Sequence, residues 1–296
     1  MPTIKIGVSL SANNSIAAAE LPERARHAEQ AGLDSAFVGD HLAGFRPILD
    51  STVVLAGAAA VTSRIELGYG TMVLALRQVA WAAKQVATLQ QLAQGRVILG
   101  VGIGGPMYGE SAWHAVGVPY RERGKRTDAA LELLPDLIAG KPTVLNGHEL
   151  TLAPGATVPP IWIGGGSDAA VRRAVRHGSA WFPSMMTAQA ARPAIARLTE
   201  FADAEQRPVP MLTMGGVAGL GSDKSTVEEY AARLASTYGI APEQAAKLPI
   251  SGSTRQAADR FAEFAEAGVR HLVLGIAGGD WERTCDLIAE AKAFLD

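Results

Sequence analysis

Residues 67–105 read LGYGTMVLALRQVAWAAKQVATLQQLAQGRVILGVGIGG. Two glycine-ended apolar runs, Ile65–Val73 and Arg96–Ile103, bracket a helical stretch closed by Gly95. Strand, helix, strand in that order calls for a parallel sheet with the helix as crossover. Both runs also end in small residues, where a backbone lets a flat ligand come close.

The same joint recurs outward from this stretch. An alanine-rich amphipathic helix, one glycine and a short apolar run follow one another at Gly32, Gly95, Gly178 and Gly268. The pattern predicts a left-handed glycine just past each helix, redirecting the chain into a strand. Strand candidates are Ile4–Leu10, Ser35–Val38, Ile65–Val73, Arg96–Val101, Pro160–Ile163, Ala180–Phe182, Pro210–Gly215 and His271–Ile276. Most are continuous apolar runs, as expected of strands covered on both faces. Parallel strands alternating with helices over this length predict an α/β (β/α)8 TIM barrel. Two connections exceed a single helix. Residues 106–159, after strand four, hold a loop, a helix over Arg121–Ala139 and a hairpin about Asn146-Gly147. Residues 220–253, between strands seven and eight, hold a helix over Thr226–Tyr238. Both are read as insertions in a single domain spanning residues 1–296.

Bulk composition narrows the function. Of 296 residues 48% are hydrophobic and 19% charged, the profile of a folded globular chain rather than a disordered one. A net charge of -2 supplies no basic field, so neither nucleic acid nor an acidic membrane surface is an expected partner. The single cysteine, Cys285, leaves no intrachain disulfide framework or Cys-based zinc site, and its helical setting predicts a buried, inert thiol. The opening MPTIKIGVSL lacks the features of a signal peptide, and Val53–Val61 is too short to span a bilayer. A small-molecule substrate and a cytoplasmic setting are the expectations.

In a TIM barrel the reacting groups come from the strand C-terminal ends and the loops that follow. Those points carry Ser9, Leu10 and Ser11; Gly39-Asp40-His41; Gly68 to Thr71; Gly102 to Gly105; Gly164 to Ser167; Pro183 to Met185; Met214 to Gly216; and Ala277 to Asp280. So many glycines on one rim suit a broad planar ligand packed against backbone. Asp40-His41 is the one adjacent acid–imidazole pair at a strand end, and an imidazole exchanges protons near neutral pH. The run GGGSDAAVRRAVRHG from Gly164 places three glycines and Ser167-Asp168 ahead of a helix, a setting in which backbone N–H groups cradle an anion. Arg172 and Arg173, one turn in, are candidates for added charge there.

GVGIGG at Gly100–Gly105 matches the dinucleotide fingerprint in form, yet no helix opens from it, so room for a ring system is the better account. His27, His114, His148, His177 and His271 show no metal spacing and are read as structural; no metal site is expected. Trp113 and His114 fall where a substrate pocket would be lined. Serine nucleophile motifs such as G-x-S-x-G are absent.

The stretches QAGLDSAFVGDH, LGYGTMVL, QLAQGRVILGVGIGG, GVPYRERGKRTDAALELL and PPIWIGGGS, with the closing GVRHLVLG, resemble the luciferase-like flavin-dependent oxidoreductases, especially their deazaflavin (coenzyme F420) branch. The resemblance runs from Ile6 to beyond Gly178 and is loose between Met185 and Val269. It implies a homodimer that moves a hydride between F420 and a small organic substrate. Asp40 and His41 would contact the cofactor and act in catalysis, with Asp40 orienting the imidazole. A non-proline cis peptide at Gly70-Thr71 would back the central ring. Ile103, Gly104 and Gly105 would flank the ring, and Gly165, Gly166 and Ser167 would hold the phosphate. Asp-His rather than Glu-His favours F420 over FMN. The alternatives are an FMNH2-dependent monooxygenase and a non-catalytic flavin-binding protein. The family's sugar-phosphate dehydrogenase carries an acid after strand four where this chain has Gly105, so that substrate does not carry over.

Overall fold

The computed structural model describes residues 3–10, 18–43, 47–105 and 109–295. The first half runs β1 (Lys5–Ser9), α1 (Glu20–Ala31), β2 (Ser35–Val38), α2 (Ser51–Val61), β3 (Glu66–Tyr69), β4 (Met72–Val73), α3 (Val79–Leu92) and β5 (Val97–Gly102). Next come α4 (Ser111–Ala115), α5 (Arg123–Ile138), β6 (Thr143–Leu145), β7 (His148–Leu150), β8 (Ile161–Gly164), α6 (Asp168–His177) and β9 (Ala180–Phe182). The rest is α7 (Ala188–Ala204), β10 (Met211–Ala218), α8 (Lys224–Tyr238), α9 (Pro242–Ala245), β11 (Pro249–Ile250), α10 (Thr254–Glu266), β12 (Val269–Ile276) and α11 (Trp281–Ala293).

Pairing follows β10-β12-β1-β2-β3-β5-β8-β9, and β9 pairs back to β10, so eight parallel staves close into the expected (β/α)8 barrel. Register is set by apolar side chains that a one-residue slip would turn to the wrong face: Val8 lies beside Ala36 and Leu274, and Val38 beside Tyr69. Inside the barrel Phe37 stacks on Trp162 with ring centres 5.5 Å apart, and Phe182 closes on Trp162 at 5.4 Å. Gly68 makes room for this layer, since a Cβ there would lie 2.2 Å from the Phe37 ring. Outward-facing residues such as Leu67, Leu99, Ile163 and Trp181 are buried beneath the helices.

The glycine joints hold at Gly32, Gly95 and Gly268, with φ of 92°, 87° and 99°. Gly178 departs from the expectation: its backbone is extended, at φ -100° and ψ 149°. Space explains the glycine there, because a Cβ would sit 2.9 Å from the Ala174 carbonyl oxygen and 3.1 Å from that of Ala180. The Asn146-Gly147 hairpin forms with φ of 50° and 83°, the left-handed pair that a two-residue turn needs.

Strand three differs more. Instead of one strand over Ile65–Val73, the chain breaks between β3 and β4, and the Gly70-Thr71 peptide is cis. Beyond it, β4 pairs with the upper part of β5. Strand seven continues to Ala218, so Gly215 and Gly216 lie within it rather than past its end. Cys285 is buried as expected, and burial pushes its thiol up to about 12.

Candidate active site

A cavity of about 220 Å³ opens at the C-terminal mouth of the barrel, and two facing walls build it. On one side stand Gly39, Gly70, Thr71, Gly164 and Gly165, from the ends of β2, β3 and β8. On the other stand Ser184, Met185, Gly215, Gly216 and Gly275. Phe37, Phe182 and Val273 form the floor, and Ser9 of β1 completes the lining.

The bulge that carries Thr71 is fitted into the neighbouring strands. A Cβ at Gly100 would lie 2.0 Å from the Tyr69 carbonyl oxygen, one at Gly102 2.3 Å from Thr71 Oγ1, and one at Gly164 2.9 Å from Thr71 Cγ2. Gly100 and Gly102 therefore make room for the protein's own backbone and Thr71 rather than directly for a ring. Glycines that border open volume lie elsewhere. The nearest atom to a Cβ at Gly39 is 3.9 Å away and to one at Gly275 3.7 Å away, so a side chain at either would enter the cavity. Walls built so largely of glycine leave backbone open to close approach by a planar group.

The second wall has its own construction. Ser184 bridges to Gly215 beyond the end of β9, the Gly215 N–H donates to Pro183 O at 2.9 Å, and Met185 N–H donates to Gly215 O at 3.1 Å. Met185 holds a left-handed backbone, φ 58°.

Asp40 and His41 directly follow Gly39 and are 7% and 6% exposed. The Asp40 carboxylate has well-defined partners: Oδ1 accepts from Ser51 Oγ at 2.7 Å and Arg77 Nη2 at 2.7 Å, while Oδ2 accepts from the Val73 N–H at 2.8 Å and Arg77 Nη1 at 2.7 Å. These hydrogen bonds run to the bulge segment and the α2 N-terminus rather than to the imidazole, so orientation of His41 by a direct carboxylate hydrogen bond is replaced by a backbone relationship. Burial holds His41 below its ordinary value, against the opposing pull of a hydrogen bond with the Ala43 backbone and the nearby Asp40 charge. For Arg77, burial works against the guanidinium's charge, yet Asp40 outweighs it and holds the group above its ordinary value.

At the glycine-rich loop, Ser167 caps α6, its hydroxyl accepting from the Ala170 N–H at 3.3 Å. Two side chains of the outer layer fix the loop's carbonyls: Trp181 Nε1 donates to Gly165 O at 2.7 Å, and Arg197 Nη1 donates to Gly166 O at 3.3 Å while pairing with Asp168. In a trans peptide C=O and N–H point opposite ways, so these bonds turn the Gly166 and Ser167 N–H groups away from Trp181 and Arg197. Arg172 and Arg173 do not serve the loop. Arg172 lies over the Phe201 ring at 4.9 Å, and Arg173 donates to Asp128 at 2.5 Å.

The structure thus gathers Gly70, Thr71 and Gly165 on one cavity. Asp40, His41, Gly166 and Ser167 adjoin its wall in sequence without being part of it, and Ile103, Gly104 and Gly105, past the end of β5, are not in its lining. Trp113 is 1% exposed and packed where a Cβ at Gly104 would meet it at 2.8 Å, while the His114 side chain is 79% exposed, so neither lines this cavity. Ser11 and the loop residues Met107 and Tyr108 lie outside the described residues. Arg77, Arg197, Phe37 and Gly275 were not singled out by sequence. A glycine in the last turn of a strand was the available signal for Gly275; the two arginines act over distances with no local signature. Among the described residues no group of three His, Cys, Asp or Glu is placed to hold a metal, and no helix is long and apolar enough to cross a membrane.

The family model described as luciferase-like monooxygenase matches residues 3–249. The chain belongs to that family. It is 33% identical over 192 residues to an F420-dependent glucose-6-phosphate dehydrogenase of Kineococcus radiotolerans, covering 60% of this chain and 56% of the relative. The chain spans about half the length of the curated relatives it matches, 46% to 56%. Among solved structures, an F420-dependent secondary alcohol dehydrogenase in complex with an F420-acetone adduct superposes with TM-score 0.81 at 18% identity, covering 98% of each chain. The oxygenating constituent of 3,6-diketocamphane monooxygenase from Pseudomonas putida, in complex with FMN, gives 0.77 at 16% identity over 97% of each. These two likenesses establish the fold.

Proposed function

We propose that the whole chain acts as one cytoplasmic oxidoreductase domain that uses the deazaflavin F420 and a small organic alcohol or carbonyl compound. The observation that carries this reading is the cavity at the barrel mouth, lined by glycines that include Gly39 and Gly275 and adjoining the buried imidazole of His41 in sequence. Relatives that bear the F420-dependent name at about a third identity support the choice of carrier. The carrier, when bound, accepts or supplies a hydride at its central ring.

The chain's own residues do the rest. Gly70 and Thr71 would back the ring, Ile103, Gly104 and Gly105 would border its edge, and the N–H groups of Gly166 and Ser167 would receive the phosphate at the α6 N-terminus. In alcohol oxidation His41 would take the substrate hydroxyl proton, and in carbonyl reduction it would return it. Burial favours the neutral imidazole that accepts it. Asp40 acts through its hold on the backbone. A sugar phosphate is disfavoured as substrate because Gly105 replaces the expected acid, and the nearest one, Glu110, has its side chain 55% exposed.

We also propose a homodimer formed through α2 and α3. Helix α2, STVVLAGAAAV, is apolar on every side, the pattern of a helix buried all round. Yet Val53 on α2 and Trp81 on α3 stand 71% and 69% exposed.

Reconstitution tests the carrier. The purified protein is mixed with F420 or FMN, and binding is followed by absorption and fluorescence. Saturable F420 binding, lost in Gly275→Val with the fold intact, is expected. FMN binding with oxygen-dependent turnover and no F420 binding would establish the monooxygenase reading, which the FMN complex of a fold relative favours. Carrier binding with turnover unchanged in His41→Ala would favour a non-catalytic role or another base.

A further inference from the structure

Arg77 enters the rim from outside the glycine-lined walls, on the segment between β4 and α3. Its guanidinium makes the two-pronged contact with Asp40, both arms at 2.7 Å, and lies 3.7 Å from Asp50. The Asp40 side chain is 1% exposed and that of Arg77 19%. Each carboxylate oxygen therefore accepts one arm of the arginine and one further donor, Ser51 Oγ or the Val73 N–H. Four charge-assisted bonds to one buried carboxylate fill its acceptor sites.

We propose that Arg77 is a positioning residue which takes up the Asp40 charge, so that Asp40 clamps the Thr71–Val73 bulge to the β2 rim and His41 stands beside an already neutralised acid. The role rests on the reading of His41 as the proton-transfer group. An adjacent free carboxylate would favour an imidazolium, because opposite charge stabilises the charged form. A guanidinium fork bound to that carboxylate opposes the pull that Asp40 exerts on the neighbouring imidazole. The remaining groups around the pair do not upset the balance. Asp50 is shared with Arg77, and the phenol of Tyr69, which donates to Thr52 Oγ1 at 3.1 Å, is pushed up by burial and stays neutral. The same contact fixes two parts of the rim to one another. Val73 follows the bulge that backs the ring and Asp40 precedes the imidazole, so one side chain sets their separation.

The arrangement separates Asp40 from the acid of a proton-relay dyad. A relay acid needs an oxygen turned to the imidazole; here both oxygens face β4, Arg77 and α2. It also makes a charge prediction of opposite sign for the two partners, which packing alone would not produce.

The test uses the protein free of any carrier, so its result is independent of whether F420 binds. Imidazole resonances are followed by NMR through a pH titration, with His41 assigned by their loss in His41→Gln. In Arg77→Met the uncancelled carboxylate is expected to raise the His41 midpoint by about one pH unit. Arg77→Lys, which keeps the charge, should hold it near the unmodified protein. Asp40→Asn, which leaves the arginine unbalanced, should lower it. Midpoints that stay put in both Arg77→Met and Asp40→Asn, or that move the same way, overturn the proposal. If Arg77→Met fails to fold, Asp40→Asn decides alone: a fall supports the proposal, and a rise or no change overturns it.

Discussion

Thr71 occupies the volume that a side chain at Gly102 would need: a Cβ built there lies 2.3 Å from Thr71 Oγ1. The two residues come from neighbouring staves, β5 and the break between β3 and β4, so the contact fixes how far the bulge leans into the mouth. Gly102→Ala should therefore destabilise the fold by about 1–3 kcal/mol, the usual cost of an inserted methyl in a packed site. It should also weaken carrier binding, because the bulge must shift. Adding Thr71→Ala removes the clashing hydroxyl and should recover most of the stability, measured by denaturant unfolding. Costs that simply add in the double variant would show that the two side chains do not compete for this space.

Replacing the imidazole separates proton transfer from binding. His41→Ala should lower kcat by about 10²–10⁴-fold, the range for a lost general base, with carrier affinity little changed. The pH dependence has a definite sign. Burial holds His41 below the ordinary 6.5, so alcohol oxidation, which needs the neutral ring, should fall only below that pH and stay level above it. Carbonyl reduction, which needs the protonated ring, should show the opposite limb. A profile for oxidation that rises only above neutrality would assign the proton to a different group.

How much of this was legible in the sequence follows from the range of the interactions involved. The staves were legible because each is a short apolar run, and four of them follow a glycine that closes a helix, at Gly32, Gly95, Gly178 and Gly268. The break in strand three was not legible in the local pattern, since Ile65 to Val73 reads as one extended run; only the family resemblance pointed to a cis peptide at Gly70-Thr71, where the structure has one. Gly178 was misread because the same residue type serves either a left-handed turn or a close approach, and the sequence does not say which. The Asp40-His41 pair stood out by adjacency, but the acid's partner lies 37 residues on in the chain, beyond any local pattern. Trp113 looked like a pocket residue from its loop; Gly104, nine positions earlier, is what lets it bury.

The proposed dimer surface gives a prediction about assembly. Val53→Glu with Trp81→Glu places two charges on an exposed apolar face without touching the barrel interior. The variant should sediment as a monomer where the unmodified protein sediments as a dimer, with circular dichroism unchanged. A dimer that persists at micromolar concentration would move the interface to another face.

His271 supplies a pH dependence of folding that is separate from the chemistry. Its ring is 3% exposed, with Nε2 and Ser35 Oγ 2.6 Å apart in a hydrogen bond and the Trp162 ring 5.0 Å away. Gly7 makes room for that serine, as a Cβ there would fall 1.9 Å from Ser35 Oγ. Burial, helped by the charges of Lys5 and Lys292, holds the ring down to about 3 against 6.5 for a free imidazole. Between those values the unfolded chain binds the extra proton, so the stability tied to a neutral His271 is complete above pH 6.5 and declines as pH falls toward 3. The decline is at most about 1.4 kcal/mol per pH unit. His271→Gln keeps a hydrogen-bonding group for Ser35 and removes the titration, so its stability curve should be flatter over that interval. Equal acid slopes for the two proteins in urea unfolding would mean that the ring takes up its proton without leaving the barrel.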